Sequence, residues 1–179
     1  GDFDKAGGLS APGFAHWGGE LGGGANVTPE EGGTVAGPNG IQLNMPAGAV
    51  AQASMVTLAT LPAPQSLPDQ QRALYGLRAL ATTLGGQTVT TFAKPYTLRV
   101  PYTDAQLAAL GITNPATLNL VFWNGKAWTP MLPCAGCSVD TANKVMTIVA
   151  DHFTDFAVVG QGLAETPGAA NVYLPLVKR

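Results

Sequence analysis

The stretch TVAGPNGIQLNM, residues 34–45, decides the fold. Ile41, Leu43 and Met45 alternate with Gln42 and Asn44, the two-residue period of a strand with one buried face. Thr34-Val35-Ala36 is a second extended run. Between them sits Gly37-Pro38-Asn39-Gly40. Asn-Gly between two such runs signals a tight hairpin, because both turn residues need positive φ.

The same pattern repeats outward along the chain. Ser54–Leu61 reads as a strand with Val56 and Leu58 on one face, and the proline-rich 62–72 as a loop. Leu77–Thr83 and Gln87–Thr91 predict a hairpin across Leu84-Gly85-Gly86. Tyr96, Leu98 and Val100 form another alternating run, closed by Pro101. Leu118–Trp123 and Lys126–Met131 flank a second Asn-Gly at Asn124-Gly125. Val139-Asp140 and Val145–Ala150 flank a third turn at 141–144, and Phe153–Val159 reads as the last core strand. Thr103 followed three residues later by Gln106 has capping-box spacing, and Gly111 supplies a stop. Asp104–Leu110 is therefore the single expected helix. About ten short strands with regular turns predict an all-β, antiparallel sandwich with one short helix.

The ends differ from this body. Residues 1–28 are a Gly-rich N-terminal arm without strand or helix period. Phe3, Phe14 and Trp17 within it are costly to leave in water, so something is expected to cover them. Residues 29–160 are the sandwich. Residues 161–179 are a linker and a C-terminal strand in which Val172, Leu174 and Leu176 alternate with Tyr173 and Pro175. An added strand gains affinity from main-chain hydrogen bonds and specificity from alternate side chains.

Composition narrows the function. The chain has 179 residues and net charge −2, and only 11% of it is charged, against about 25% in an average soluble domain. No basic cluster supports a phosphate-backbone partner, so nucleic acid is not expected. No apolar run approaches a membrane span. A start at Gly1 is what a removed export leader leaves. With few charges and only two cysteines, it points to a secreted protein of the bacterial cell surface. Cys134 and Cys137 are expected to close a local turn disulfide in that oxidising setting. The spacing also matches a redox motif, but no βαβ context surrounds it. Two cysteines and the distant His16 and His152 lack zinc spacing, and no metal or cofactor is expected.

Gly32-Gly33-Thr34-Val35, then Ile41 to Ala49 (IQLNMPAGA), and the closing His152-Phe153-Thr154-Asp155-Phe156-Ala157-Val158 resemble the opening and closing segments of ZU5-type domains. The resemblance covers roughly 29–160. It implies a β-sandwich that mediates interactions and is not an enzyme. It also implies one chemical candidate, because some such domains cut themselves at a His-Phe-Ser site. Thr154 would be the nucleophile, His152 the base, and the break would fall after Phe153. Thr here replaces Ser and is the more hindered nucleophile. The plainer reading makes Phe153 a core residue and Thr154 a strand residue.

Trp17, Trp123, Trp128, Tyr96 and Tyr102 suggest a further reading, an aromatic platform for a glycan. Cross-strand packing is the plainer role for Trp123 and Trp128. The function expected from the whole is non-enzymatic: a subunit that assembles with itself into a surface filament or matrix through its arms, with Phe3, Phe14, Trp17, Val172, Tyr173, Leu174 and Leu176 at the contacts. Self-cleavage at Phe153/Thr154 and a carbohydrate- or protein-binding module are the alternatives.

Overall fold

The computed structural model describes residues 22–163, apart from Gln65 and Asp69. Within them the chain forms twelve strands: β1 (Gly23–Val27), β2 (Gly33–Ala36), β3 (Gln42–Met45), β4 (Ser54–Leu61), β5 (Gln71–Thr83), β6 (Thr88–Val89), β7 (Thr91–Pro101), β8 (Asn119–Trp123), β9 (Trp128–Pro130), β10 (Ser138–Asp140), β11 (Val145–His152) and β12 (Asp155–Gln161). The helix α1 covers Asp104–Ala109. Two antiparallel sheets result. The larger runs β1-β4-β5-β12-β8-β9, with β6 pairing β5; the smaller runs β10-β11-β7-β3-β2. The expected all-β sandwich is the observed one.

The turns follow their sequences, with one shift. Asn39 and Gly40 have φ of 56° and 75°, and β2 pairs β3 with Val35 opposite Leu43. At the second Asn-Gly the reversal moves one residue on. Asn124 N–H donates to the Ala127 carbonyl, so Gly125 and Lys126 span the turn and only Gly125 has positive φ. The Asn124 side chain holds this turn by accepting from the Lys126 and Ala127 amides, both at 2.9 Å. The capping box at Thr103 and Gln106 is formed in both directions.

Several boundaries differ from expectation: β7 begins at Thr91 rather than Tyr96, the expected strand Gln87–Thr91 is divided between β6 and β7, and the expected Lys126–Met131 shortens to β9; three further differences matter more. β5 begins at Gln71 rather than Leu77, because its first residues pair with the end of β12. The expected strand Phe153–Val159 is interrupted. β11 ends at His152 in the smaller sheet, Phe153-Thr154 crosses between sheets, and β12 starts in the larger one. Third, the stretch read as an arm contains β1, which pairs Gly23 with Leu58 through Val27 with Ser54. Its glycines hide it from a hydrophobic-period reading, yet they are why it fits. A Cβ on Gly23 would lie 1.5 Å from the Ala36 carbonyl oxygen, and one on Gly22 1.9 Å from that of Leu58. Only a bare backbone passes between β4 of one sheet and β2 of the other.

The core between the sheets is built from Ile41, Leu43, Leu58, Leu77, Leu98, Leu120, Ile148 and Phe156, all nearly inaccessible. β12 is buried on both faces. Phe156 and Val158 face the main core. Ala157 and Val159 join Ala73 and Val121 in a second cluster, against which Leu67 and Trp128 pack. A strand covered on both sides reads as a continuous apolar run, as FAVV does.

Candidate functional site

Two regions carry chemistry. The first is the corner where the chain changes sheets. Phe153 is buried in an edge-to-face trio, its ring centroid 4.5 Å from Phe92 and 5.0 Å from Tyr96. Phe153 N–H donates to the Thr90 carbonyl at 2.7 Å. Tyr96 donates its hydroxyl to the His152 carbonyl at 2.9 Å, and burial pushes its pKa upward. His152 and Thr154 lie on either side of this anchor, but their side chains serve different partners. The imidazole Nδ1 lies 3.2 Å from Asp151 Oδ1, and its ring meets Phe122 edge-on at 5.2 Å. Thr154 donates its hydroxyl to the Trp123 carbonyl at 3.0 Å. Among the described residues no hydrogen bond joins His152 to Thr154, the contact that activates a nucleophile. None of residues 152–154 has positive φ.

Beside this corner, the gap between β6 and β12 leaves a groove of about 260 Å³, lined among others by Arg78, Leu80, Thr88, Thr154 and Asp155. Arg78 and Asp155, opposed on the paired strands β5 and β12, form a bidentate pair in its lining, Nε to Oδ1 at 2.7 Å and Nη2 to Oδ2 at 2.8 Å. This hydrogen-bonded pairing raises the Arg78 pKa.

The aromatic platform does not assemble as expected. Tyr96 and Tyr102 are buried, 1% and 4% exposed. Trp123 and Trp128 do oppose each other across their hairpin, with centroids 5.5 Å apart and planes tilted by 58°. Trp128 packs on the second apolar cluster, and only Trp123 opens to solvent. Trp17 lies outside the described residues, as do Phe3, Phe14, Val172, Tyr173, Leu174 and Leu176.

The second region is a seam that sequence reading missed. At one side of the sandwich, β1 and β2 close the two sheets on each other through paired hydrogen bonds between Thr28 and Gly32, 2.9 and 3.1 Å. At the other side, the sheets end in β9 and β10, and the 3-10 turn Pro115–Thr117 packs against β10 and β12. A groove of about 510 Å³ opens there, lined by Leu118, Asn119, Leu132, Val139, Cys137 and Gln161 among others. Asn119 braces one wall. Its Oδ1 accepts from the Met131 and Leu132 amides, and its Nδ2 donates to the Leu132 carbonyl. The Cys134–Cys137 disulfide, with Cα atoms 5.2 Å apart, holds the other wall as expected; this separation is ordinary for the bond. Val149 N–H donates to Cys137 Sγ at 3.2 Å, tying the turn to β11. β10 pairs only with β11, so its outer edge is unpaired among the described residues. No sequence signal marks the groove, because it arises between the two sheets rather than within any one segment.

Among the described residues no group of three or more His, Cys, Asp or Glu is placed to hold a metal. No described helix is long and apolar enough to cross a membrane. No family model matches the chain, and no curated protein does.

Proposed function

We propose that this chain is a non-enzymatic extracellular structural protein, a ZU5-like sandwich that assembles with copies of itself into a surface filament or matrix by strand exchange. The observation that carries the reading is the open seam. The free edge of β10 offers main-chain donors and acceptors, and the adjoining groove offers the half-buried Leu132 and Val139 to alternate side chains. Those are the two requirements for adding a strand. The donor is Asn171–Val177 of a second copy, whose Val172, Leu174 and Leu176 share one face. β12 leaves the sheet at Gln161, on the rim of the same groove. Such a contact is head-to-tail and does not close on itself, so it propagates. Low charge density supports it, since neighbouring copies repel little. The disulfide suits an oxidising compartment.

Light scattering of the full chain over a concentration series tests this, beside the double variant Leu174→Asp/Leu176→Asp. The expected result is a mass that grows with concentration for the parent and stays at one chain for the variant. A monomeric parent at all concentrations overturns the reading.

Self-cleavage at Phe153/Thr154 is the second reading, supported by the position of that peptide at the sheet crossing, beside the groove that Arg78 and Asp155 help to line. A cut there would leave β12 held between β5 and β8. Denaturing mass spectrometry distinguishes them: assembly without cleavage gives one intact mass, and self-cleavage gives two fragments whose yield falls in His152→Ala.

A further inference from the structure

The two Asn-Gly turns are chemically unequal. Asn-Gly pairs are prone to losing ammonia, since Gly leaves the following amide unshielded. The Gly nitrogen gives up its proton to solvent and attacks the Asn Cγ. The new C–N bond closes a five-membered imide, and Nδ2 departs as ammonia. Water then opens either carbonyl, yielding aspartate or isoaspartate. The step needs the side-chain amide free to swing over the following peptide.

At Asn124 it is not free. Oδ1 holds the Lys126 and Ala127 amides, and Nδ2 donates to Thr129 Oγ1 at 2.9 Å. All of these must break before Cγ can reach the Gly125 nitrogen. Asn39 is exposed, and its amide makes no hydrogen bond among the described residues. Its turn is held by the backbone alone, through Ile41 N–H to the Pro38 carbonyl at 3.1 Å.

We propose that Asn39 is a spontaneous modification site of the native protein, converting to isoaspartate and aspartate, while Asn124 is protected. The product places a negative charge in the β2–β3 turn, and the isoaspartyl form adds a methylene to the backbone there. Each protecting hydrogen bond is worth roughly a factor of two to ten in equilibrium terms. The native Asn39 rate should therefore exceed that of Asn124 by at least about tenfold. This holds whether or not copies assemble.

The test is incubation of the native full chain at mildly alkaline pH, followed by peptide mapping with isoaspartyl methyltransferase labelling. The same chain in urea supplies the reference rates of both sites. The expected result is label and amide-to-acid conversion at Asn39 in the native chain, little at Asn124, and comparable rates at both sites in urea. In Thr129→Val, which frees Nδ2, Asn124 conversion should rise several-fold. Equal native rates, a faster Asn124, or no response to Thr129→Val each overturns the proposal.

Discussion

Replacing Gly23 by alanine should be far more damaging than replacing its neighbour Gly24, although both are glycines in the same five-residue edge strand. An alanine Cβ at Gly23 would lie 1.5 Å from the Ala36 oxygen and 2.7 Å from its carbon. Ordinary contact begins near 3.4 Å, so β1 and β2 must part by about 2 Å. Two relaxations are open. If the sandwich keeps β1 and absorbs the overlap, overpacking against backbone costs about 2–3 kcal/mol. If β1 lets go, Val27, fully buried in the core, loses about 1.5–3 kcal/mol of burial. Both routes converge on roughly 2–3 kcal/mol. At Gly24 the nearest atoms are Thr57 Cγ2 at 3.2 Å and the Val56 oxygen at 3.3 Å, on the exposed side. There the Cβ lies only 0.1–0.2 Å inside ordinary contact, a small overlap set against the reduced freedom of the unfolded chain, and Gly24→Ala should stay within about 1 kcal/mol of the parent. Urea unfolding followed by tryptophan fluorescence gives both values from the shift in midpoint at constant slope. Two variants within about 0.5 kcal/mol of each other, inside the range of an ordinary surface substitution, would refute the claim that bare backbone is required between the sheets.

Thr103→Ala removes the helix cap and should lower stability by about 1 kcal/mol, read from the same urea titration. Tyr75 is 8% exposed, its hydroxyl has no hydrogen-bond partner among the described residues, and burial pushes its pKa up to about 12. A raised pKa on an acid that charges on ionising favours the folded state below the unfolded value near 10, and that contribution is lost as pH rises from 10 through 12. Tyr75→Phe should therefore raise stability at neutral pH by about 1 kcal/mol and flatten the alkaline loss; a steeper alkaline loss in the variant would contradict the burial account. Replacing both Cys134 and Cys137 by serine opens a loop with a sequence separation of 3. It should cost about 2 kcal/mol at 25 °C, checked by thermal unfolding with and without reductant; the parent should respond to reductant and the variant should not.

Much of the sandwich was legible because period-two alternation and turn chemistry are local. The run 34–45, the capping box at Thr103 and the turn at 141–144 all formed where their residues indicated. What was not legible depends on contacts between distant segments. β1 has almost no side chains to alternate, and its strand character comes from the slot between β4 and β2. FAVV gave no period because both its faces are covered, and nothing local marks Phe153-Thr154 as a crossing between sheets. Tyr96 and Tyr102 continue the period of Leu98 and Val100, so their burial was legible, and it removes them from any exposed aromatic platform. The open seam at β10 exists only once the sheets are stacked, and composition cannot announce it.

The most direct test of strand exchange places a photo-crosslinking p-benzoylphenylalanine at Leu174 and irradiates an equal mixture of light and heavy-isotope full chains. Assembly through the seam predicts mixed-isotope crosslinks joining the 171–177 segment of one copy to residues 116–119 or 132–139 of another. Crosslinks confined to single-isotope chains, or falling elsewhere on the sandwich, would contradict it.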